Sequence, residues 1–172
     1  MASNNTKLAA LIGSVAAGVV LVQIPSLEGT KYVPYLDTGN VWTVCSGVAN
    51  PPPIVGKTYT KEECAALDEA VISEHAEKSI KYLPENAKDG HKILAVLAGY
   101  NLGPKRIVDS GLPEMIKRED PKACSALVKY HFVRVNGVMK DCSVRSNNCY
   151  GVYKRRLLER DLCEEYNNRQ GN

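Results

Sequence analysis

From Leu8 to Ile24 the chain carries no formal charge, reading LAALIGSVAAGVVLVQI, with Lys7 before it and Pro25 after it. Beyond that stretch the pattern changes. Glu28 to Ala49 reads as short strands interrupted by turn residues: Pro34, then Asp37-Thr38-Gly39-Asn40, then Val41-Trp42-Thr43-Val44. This predicts a small hairpin. Pro51-Pro52-Pro53 predicts a stiff extended loop. Thr60-Lys61-Glu62-Glu63 has the form of a capping box, and Cys64, Leu67, Val71 and Ile72 then recur at helical spacing. A long helix is expected there, running through Ile80 and ending by Pro84. His91 to Leu102 is apolar nearly all round and stops at Gly103-Pro104, as a central buried helix would. Shorter helices are expected over 113–118 and 121–130, a loop or hairpin around Asn136-Gly137, and a closing helix over 151–166. Together these elements predict an α+β fold, with a small β-hairpin lobe and a larger helical lobe joined by the long helix. Substrate would lie in a cleft between the lobes.

The uncharged stretch would span about 25 Å as a helix, against a hydrocarbon core of about 30 Å. Nine strongly apolar residues are diluted by Ala, Gly, Ser14 and Gln23, so it is a marginal anchor. Three readings compete. A cleaved signal peptide needs small residues just past the apolar run, where this chain has Gln23-Ile24-Pro25. A buried cytosolic helix fits the length but leaves the flanking positive charge unexplained. An uncleaved, weakly held signal anchor with the remainder exported fits both features. On that reading residues 1–25 are the N-terminal segment and 26–172 the functional domain, and the partner of residues 8–24 is a membrane.

Composition adds limits. The chain has 172 residues, 44% of them hydrophobic, and a formal charge of +3, which describes ordinary globular protein and excludes disorder. A charge this mild argues against a nucleic-acid partner, and a monomer is expected. Six cysteines, at 45, 64, 124, 142, 149 and 163, permit as many as three bridges in an oxidising compartment.

The three histidines, 75, 91 and 131, are scattered without HExxH or CxxC spacing, so no metal site is expected. Cys142 and Cys149 read better as a loop-closing disulfide than as ligands. GxSxG, the phosphate-binding loop and GxGxxG are all missing, and no cofactor is expected. What remains is carboxylate chemistry. Glu28, Asp37 and Thr43 stand in a Glu-x8-Asp-x5-Thr relation, with the Asp in a turn and the Thr on the strand after it. Cutting a glycosidic bond needs one carboxylic acid to protonate the leaving oxygen and a second polar group to hold or supply the nucleophile.

With its flanks this stretch resembles the phage-type lysozymes, glycoside hydrolase family 24. The likeness rests on Glu28-Gly29, Tyr35-Leu36-Asp37 and Trp42-Thr43, on Gly56-Lys57-Thr58-Tyr59-Thr60 with Glu63-Cys64, on Tyr100-Asn101-Leu102-Gly103, and on the run from Gly151 to Arg160. It extends over most of residues 26–165. The weakly apolar head resembles that of the signal-arrest-release endolysins of lambdoid phages. The chain departs from the family pattern at Asn40, Cys45 and Val48, and in the nearby Pro51–Pro53 insertion.

The resemblance implies a lysozyme-like fold and hydrolysis of the bond between N-acetylmuramic acid and N-acetylglucosamine in peptidoglycan, serving host lysis. Glu28 would be the general acid, its pKa lifted toward 6 by partial burial. Asp37 and Thr43 would hold the attacking water on the opposite face of the sugar, the inverting arrangement. Asn101 would contact substrate or cap the buried helix. Arg155, Arg156 and Glu159 read as a structural ion-pair group, and Cys45–Cys64 as a bridge, as in the exported subgroup. A lytic transglycosylase and a non-catalytic, membrane-tethered cell-wall binder are the alternatives, and the Asp and Thr partners argue against both. Glu28 also lies only four residues beyond Ile24. A membrane-tethered form would therefore be inactive until released to the periplasm.

Overall fold

The computed structural model describes residues 6–37 and 39–170. Residues 1–5 of the expected N-terminal segment and Thr38 of the expected turn lie outside the described residues. Two compact units emerge, residues 1–77 and 78–172.

In the first unit the apolar stretch forms two helices, α1 (Thr6–Ile12) and α2 (Ser14–Glu28), separated at Gly13. Leu8, Ile12, Ala16, Val20 and Ile24 are buried. Their spacing of four puts them in one stripe. Helix α2 does not stop at Pro25. It continues one more turn, to Glu28, and closes where the Gly29 N–H donates to the Pro25 carbonyl at 2.9 Å. Among the described residues no helix is long and apolar enough to cross a membrane. The expected hairpin follows as β1 (Lys31–Leu36) and β2 (Trp42–Cys45), antiparallel, with Tyr35 opposite Thr43 and a break in register between Lys31 and Tyr35.

The long helix is α3 (Lys61–Ile80), and the boundary between the units falls within it. Its predicted capping box is present: the Thr60 N–H donates to Glu63 Oε2 at 2.8 Å, and the Glu63 N–H to Thr60 Oγ1 at 3.1 Å. Cys45 is bonded to Cys64 on this helix, and a small core of Val44, Cys45, Val48, Tyr59 and Cys64 forms around that bridge.

The second unit is built on α4 (Asp89–Leu102) and α7 (Tyr150–Arg169), with α5 (Lys105–Asp109) against α4 and α6 (Leu112–Lys117) against α5, their apolar residues sharing one core. Gly90 allows α4 to approach α7, because a Cβ there would sit 2.0 Å from the Cys163 carbonyl oxygen. The helix expected over 121–130 is instead a short 3-10 turn, Ala123–Ser125, within a series of i→i+3 bonds. Asp120 Oδ1 accepts the Lys122 N–H, starting a tight turn, and Cys124 is bonded to Cys163, which pins the segment to α7. Helix α5, five residues long, is too short to show apolar periodicity in the sequence. Asn136-Gly137 forms the two-residue turn between β3 (Phe132–Val135) and β4 (Val138–Asp141), and Cys142–Cys149 closes the loop that follows.

Candidate active site

Glu28 is the last residue of α2, and it is exposed rather than partly buried. The desolvation expected around it is therefore not supplied by the free protein. Asp37 stands at the end of β1 and opens the turn. Its Oδ1 accepts the N–H groups of Gly39 at 2.8 Å and Val41 at 2.9 Å, and its own N–H donates to the Val41 carbonyl at 3.0 Å. These bonds fold the side chain back over the turn, as aspartate does when it stands first in one. Thr43 is only 3% exposed, and its hydroxyl donates to the Val41 carbonyl at 3.0 Å. All three residues lie in the first unit, Asp37 and Thr43 on one hairpin, with Glu28 entering it from the helix.

Asn101 lies in the second unit, in the last turn of α4. Of its two expected roles, capping is not the one seen, since the helix ends through the Gly103 N–H donating to the Gly99 carbonyl. Instead Asn101 Oδ1 accepts from Arg156 Nη2 at 2.9 Å. The same nitrogen donates to Glu159 Oε1 at 2.7 Å, and Arg155 Nε reaches that oxygen at 3.3 Å. Arg156 and Glu159 are fully buried, so this is the structural ion-pair group expected from the sequence, and it fixes the face that Asn101 turns to solvent.

Three further residues of the first unit are linked to one another by hydrogen bonds. The Asp68 carboxylate on α3 accepts the Ser46 N–H at Oδ1, 3.0 Å, and the Ser46 hydroxyl at Oδ2, 2.8 Å; Thr30 Oγ1 lies 3.2 Å from Ser46 Oγ. Burial pushes the Asp68 carboxyl up from its ordinary range, and the two Ser46 bonds pull the other way. A signal for Asp68 exists in the sequence: Cys64, Asp68, Ile72 and Ala76 form one buried row of α3, and a carboxylate in such a row needs partners. Elsewhere, His91 and the sulfurs of Cys124 and Cys163 lie within 4.8 Å of one another, but those sulfurs are joined to each other and offer no thiolate.

Residues 25–159 match the family described as phage lysozyme. A curated relative, the SAR-endolysin of Enterobacteria phage P21, is 33% identical over 160 residues, covering 88% of each chain. Among solved structures, the muramidase domain of SpmX from Asticaccaulis excentricus superposes with a TM-score of 0.70 at 19% identity, covering 86% of this chain and 94% of that one. The endolysin from Escherichia coli O157:H7 phage FAHEc1 gives 0.69 at 20% identity, covering 83% and 89%.

Proposed function

The chain belongs to the phage lysozyme family and is a cell-wall lytic muramidase, and from that premise we propose that it is a signal-arrest-release endolysin whose N-terminal segment decides when its catalytic acid is in place. The observation that carries this reading is that Glu28 is the last residue of the helix formed by the apolar segment. The second and longer part of the anchor and the acid are one element, α2, so moving one moves the other.

In the reaction we assign, Glu28 protonates the glycosidic oxygen between N-acetylmuramic acid and N-acetylglucosamine, with the bound glycan supplying the desolvation that the free protein lacks. Asp37 accepts a hydrogen from the attacking water through Oδ2, since Oδ1 is taken by the turn. The Thr43 hydroxyl gives its hydrogen to Val41, so it meets the same water as an acceptor. A water held by two acceptors keeps a lone pair for the anomeric carbon, which suits inversion. Asn101, whose Oδ1 is held by Arg156, is the substrate-contact residue we propose within the second unit.

The anchor reading draws on a mismatch in α1 and α2. A helix that is apolar all round belongs in a core or a bilayer. Here only one stripe is buried, yet Val15 and Val22 are 51% and 66% exposed, and no charge stands between Lys7 and Glu28. The exposed face is written for lipid and the buried stripe for the released form. While Leu8 to Ile24 lies in the inner membrane, Glu28 is held within about 14 Å of it by four residues of chain. Release to the periplasm docks the stripe and brings Glu28 into place.

The test is to incubate the soluble form with purified peptidoglycan beside Glu28→Gln and identify the new sugar ends by mass. Reducing ends that vanish with the variant support the reading. Anhydro ends would reassign the protein as a transglycosylase, and absence of cleavage would leave a wall binder. A bilayer-embedded form, recovered by flotation, that digests wall as fast as the released one would overturn the regulation.

A further inference from the structure

We infer that Asp68 is a positioning residue, which sets the acid segment against the water-holding hairpin through a relay of two hydroxyls. The inference rests on the functional reading above. Asp68 accepts the Ser46 N–H at Oδ1 and the Ser46 hydroxyl hydrogen at Oδ2. With its hydrogen committed, the Ser46 oxygen is left to accept from Thr30, 3.2 Å away. The direction is therefore fixed, from Thr30 through Ser46 to Asp68. Thr30 is two residues past Glu28 and Ser46 is three past Thr43. The relay thus joins the two chain segments that carry the reacting groups.

The backbone pairing alongside it is partial: Lys31 opposes Cys45, and the register then shifts. Gly29, between Glu28 and Thr30, has φ of +76° and no side chain with which to hold its neighbours. The Cys45–Cys64 bridge pins β2 to α3 but makes no hold on Thr30. Asp68 is 5% exposed, which shields its bonds from competing water. Ser46 also lies in the stretch where the chain departs from the family pattern, so the relay supplies an anchor suited to that departure.

Three variants test this. Thr30→Val is isosteric and cuts only the first link; Asp68→Ala removes the terminus; Asp68→Asn can still accept the Ser46 N–H and donate to its oxygen, with the hydroxyls reversed. Displacing a reacting group by about 1 Å costs on the order of 100-fold in rate. The expected result is a fall in kcat of roughly 10- to 100-fold for Thr30→Val and Asp68→Ala with KM unchanged, and recovery of most of kcat in Asp68→Asn. If Asp68→Ala does not fold, Thr30→Val decides. Unchanged kcat in Thr30→Val, or an equal loss in Asp68→Asn and Asp68→Ala, would overturn the proposal. A wild-type protein that cleaves no glycan overturns the functional reading instead. Hydrogen exchange at the amides of residues 28–31, faster in Thr30→Val, then still reports whether the relay orders that segment, and unchanged exchange sinks it.

Discussion

Asp37 and Thr43 are both tied to Val41, whose N–H donates to the Asp37 carboxylate at 2.9 Å and whose carbonyl accepts the Thr43 hydroxyl at 3.0 Å. One residue of the turn therefore fixes the spacing of the two groups assigned to the attacking water. This separates charge from geometry in a usable way. Asparagine at 37 keeps an Oδ1 that accepts the Gly39 and Val41 N–H groups, so Asp37→Asn should fold with an unchanged melting temperature. Its turnover on peptidoglycan should fall by about 100-fold or more, the scale of a lost acid-base partner. Retained turnover in a well-folded variant would remove Asp37 from the mechanism.

Arg156 and Glu159 pose the opposite case, in which charge is kept for structure. Both are fully buried, with Nη2 and Oε1 2.7 Å apart. Removing Glu159 takes its carboxylate away from a buried guanidinium, so Glu159→Ala should lose about 3–5 kcal/mol in denaturant unfolding. Asn101→Ala leaves that pair in place. It should raise KM for the wall polymer while costing only about 1 kcal/mol in unfolding, because Arg156 Nη2 keeps its bond to Glu159. A Glu159→Ala protein as stable as wild type would show that the pair is replaceable.

His91 gives the second unit a dependence on pH. Burial, with Lys88 nearby, pushes its imidazole down to about 4 from the usual 6.5, and its Nδ1 accepts the Lys88 N–H at 3.2 Å. The unfolded chain then binds a proton between pH 6.5 and 4 that the folded chain refuses. Stability contributed by neutral His91 is therefore full above about pH 6.5 and is lost as the pH falls toward 4, by up to about 3 kcal/mol. His91→Gln, neutral throughout, should lose less stability than wild type between pH 7 and 4 in chemical denaturation. Parallel curves would exclude the histidine as the cause.

Much of this architecture is legible where pattern and local chemistry agree. The Thr60 capping box, the apolar helix ending at Gly103 and the Asn136-Gly137 turn each form as their residues dictate. The hairpin carrying Asp37 and Thr43 is legible for the same reason, because turn chemistry is local. What stays hidden is set by tertiary packing. The 121–130 stretch has helical pattern, yet its disulfide to Cys163 and a turn at Asp120 override that preference. Asp68 is a polar letter in an apolar row, and only its pairing with Ser46, 22 positions earlier, shows what it does. Pro25 follows the uncharged run but lies within α2, so the larger part of that run, from Ser14, and Glu28 form one helix.

Continuity of that helix allows the two lives of the segment to be separated by two valines. Val20 lies in the buried stripe and Val22, two positions on, is largely exposed. Lysine at either position adds a cost of about 3 kcal/mol to residence in a bilayer. In the docked form only position 20 would bury the charge, whereas at position 22 it would stand in water. Val22→Lys should therefore leave the membrane fraction early, appear as soluble protein and cleave wall at the wild-type released rate. Val20→Lys should also leave the membrane but fold poorly and cleave little. Fractionation of expressing cells, followed by turnover on purified peptidoglycan, separates these outcomes. If Val22→Lys is soluble but inactive, the exposed face has a task in the released enzyme; if it stays with the membrane, residues 8–24 are not what holds the protein there.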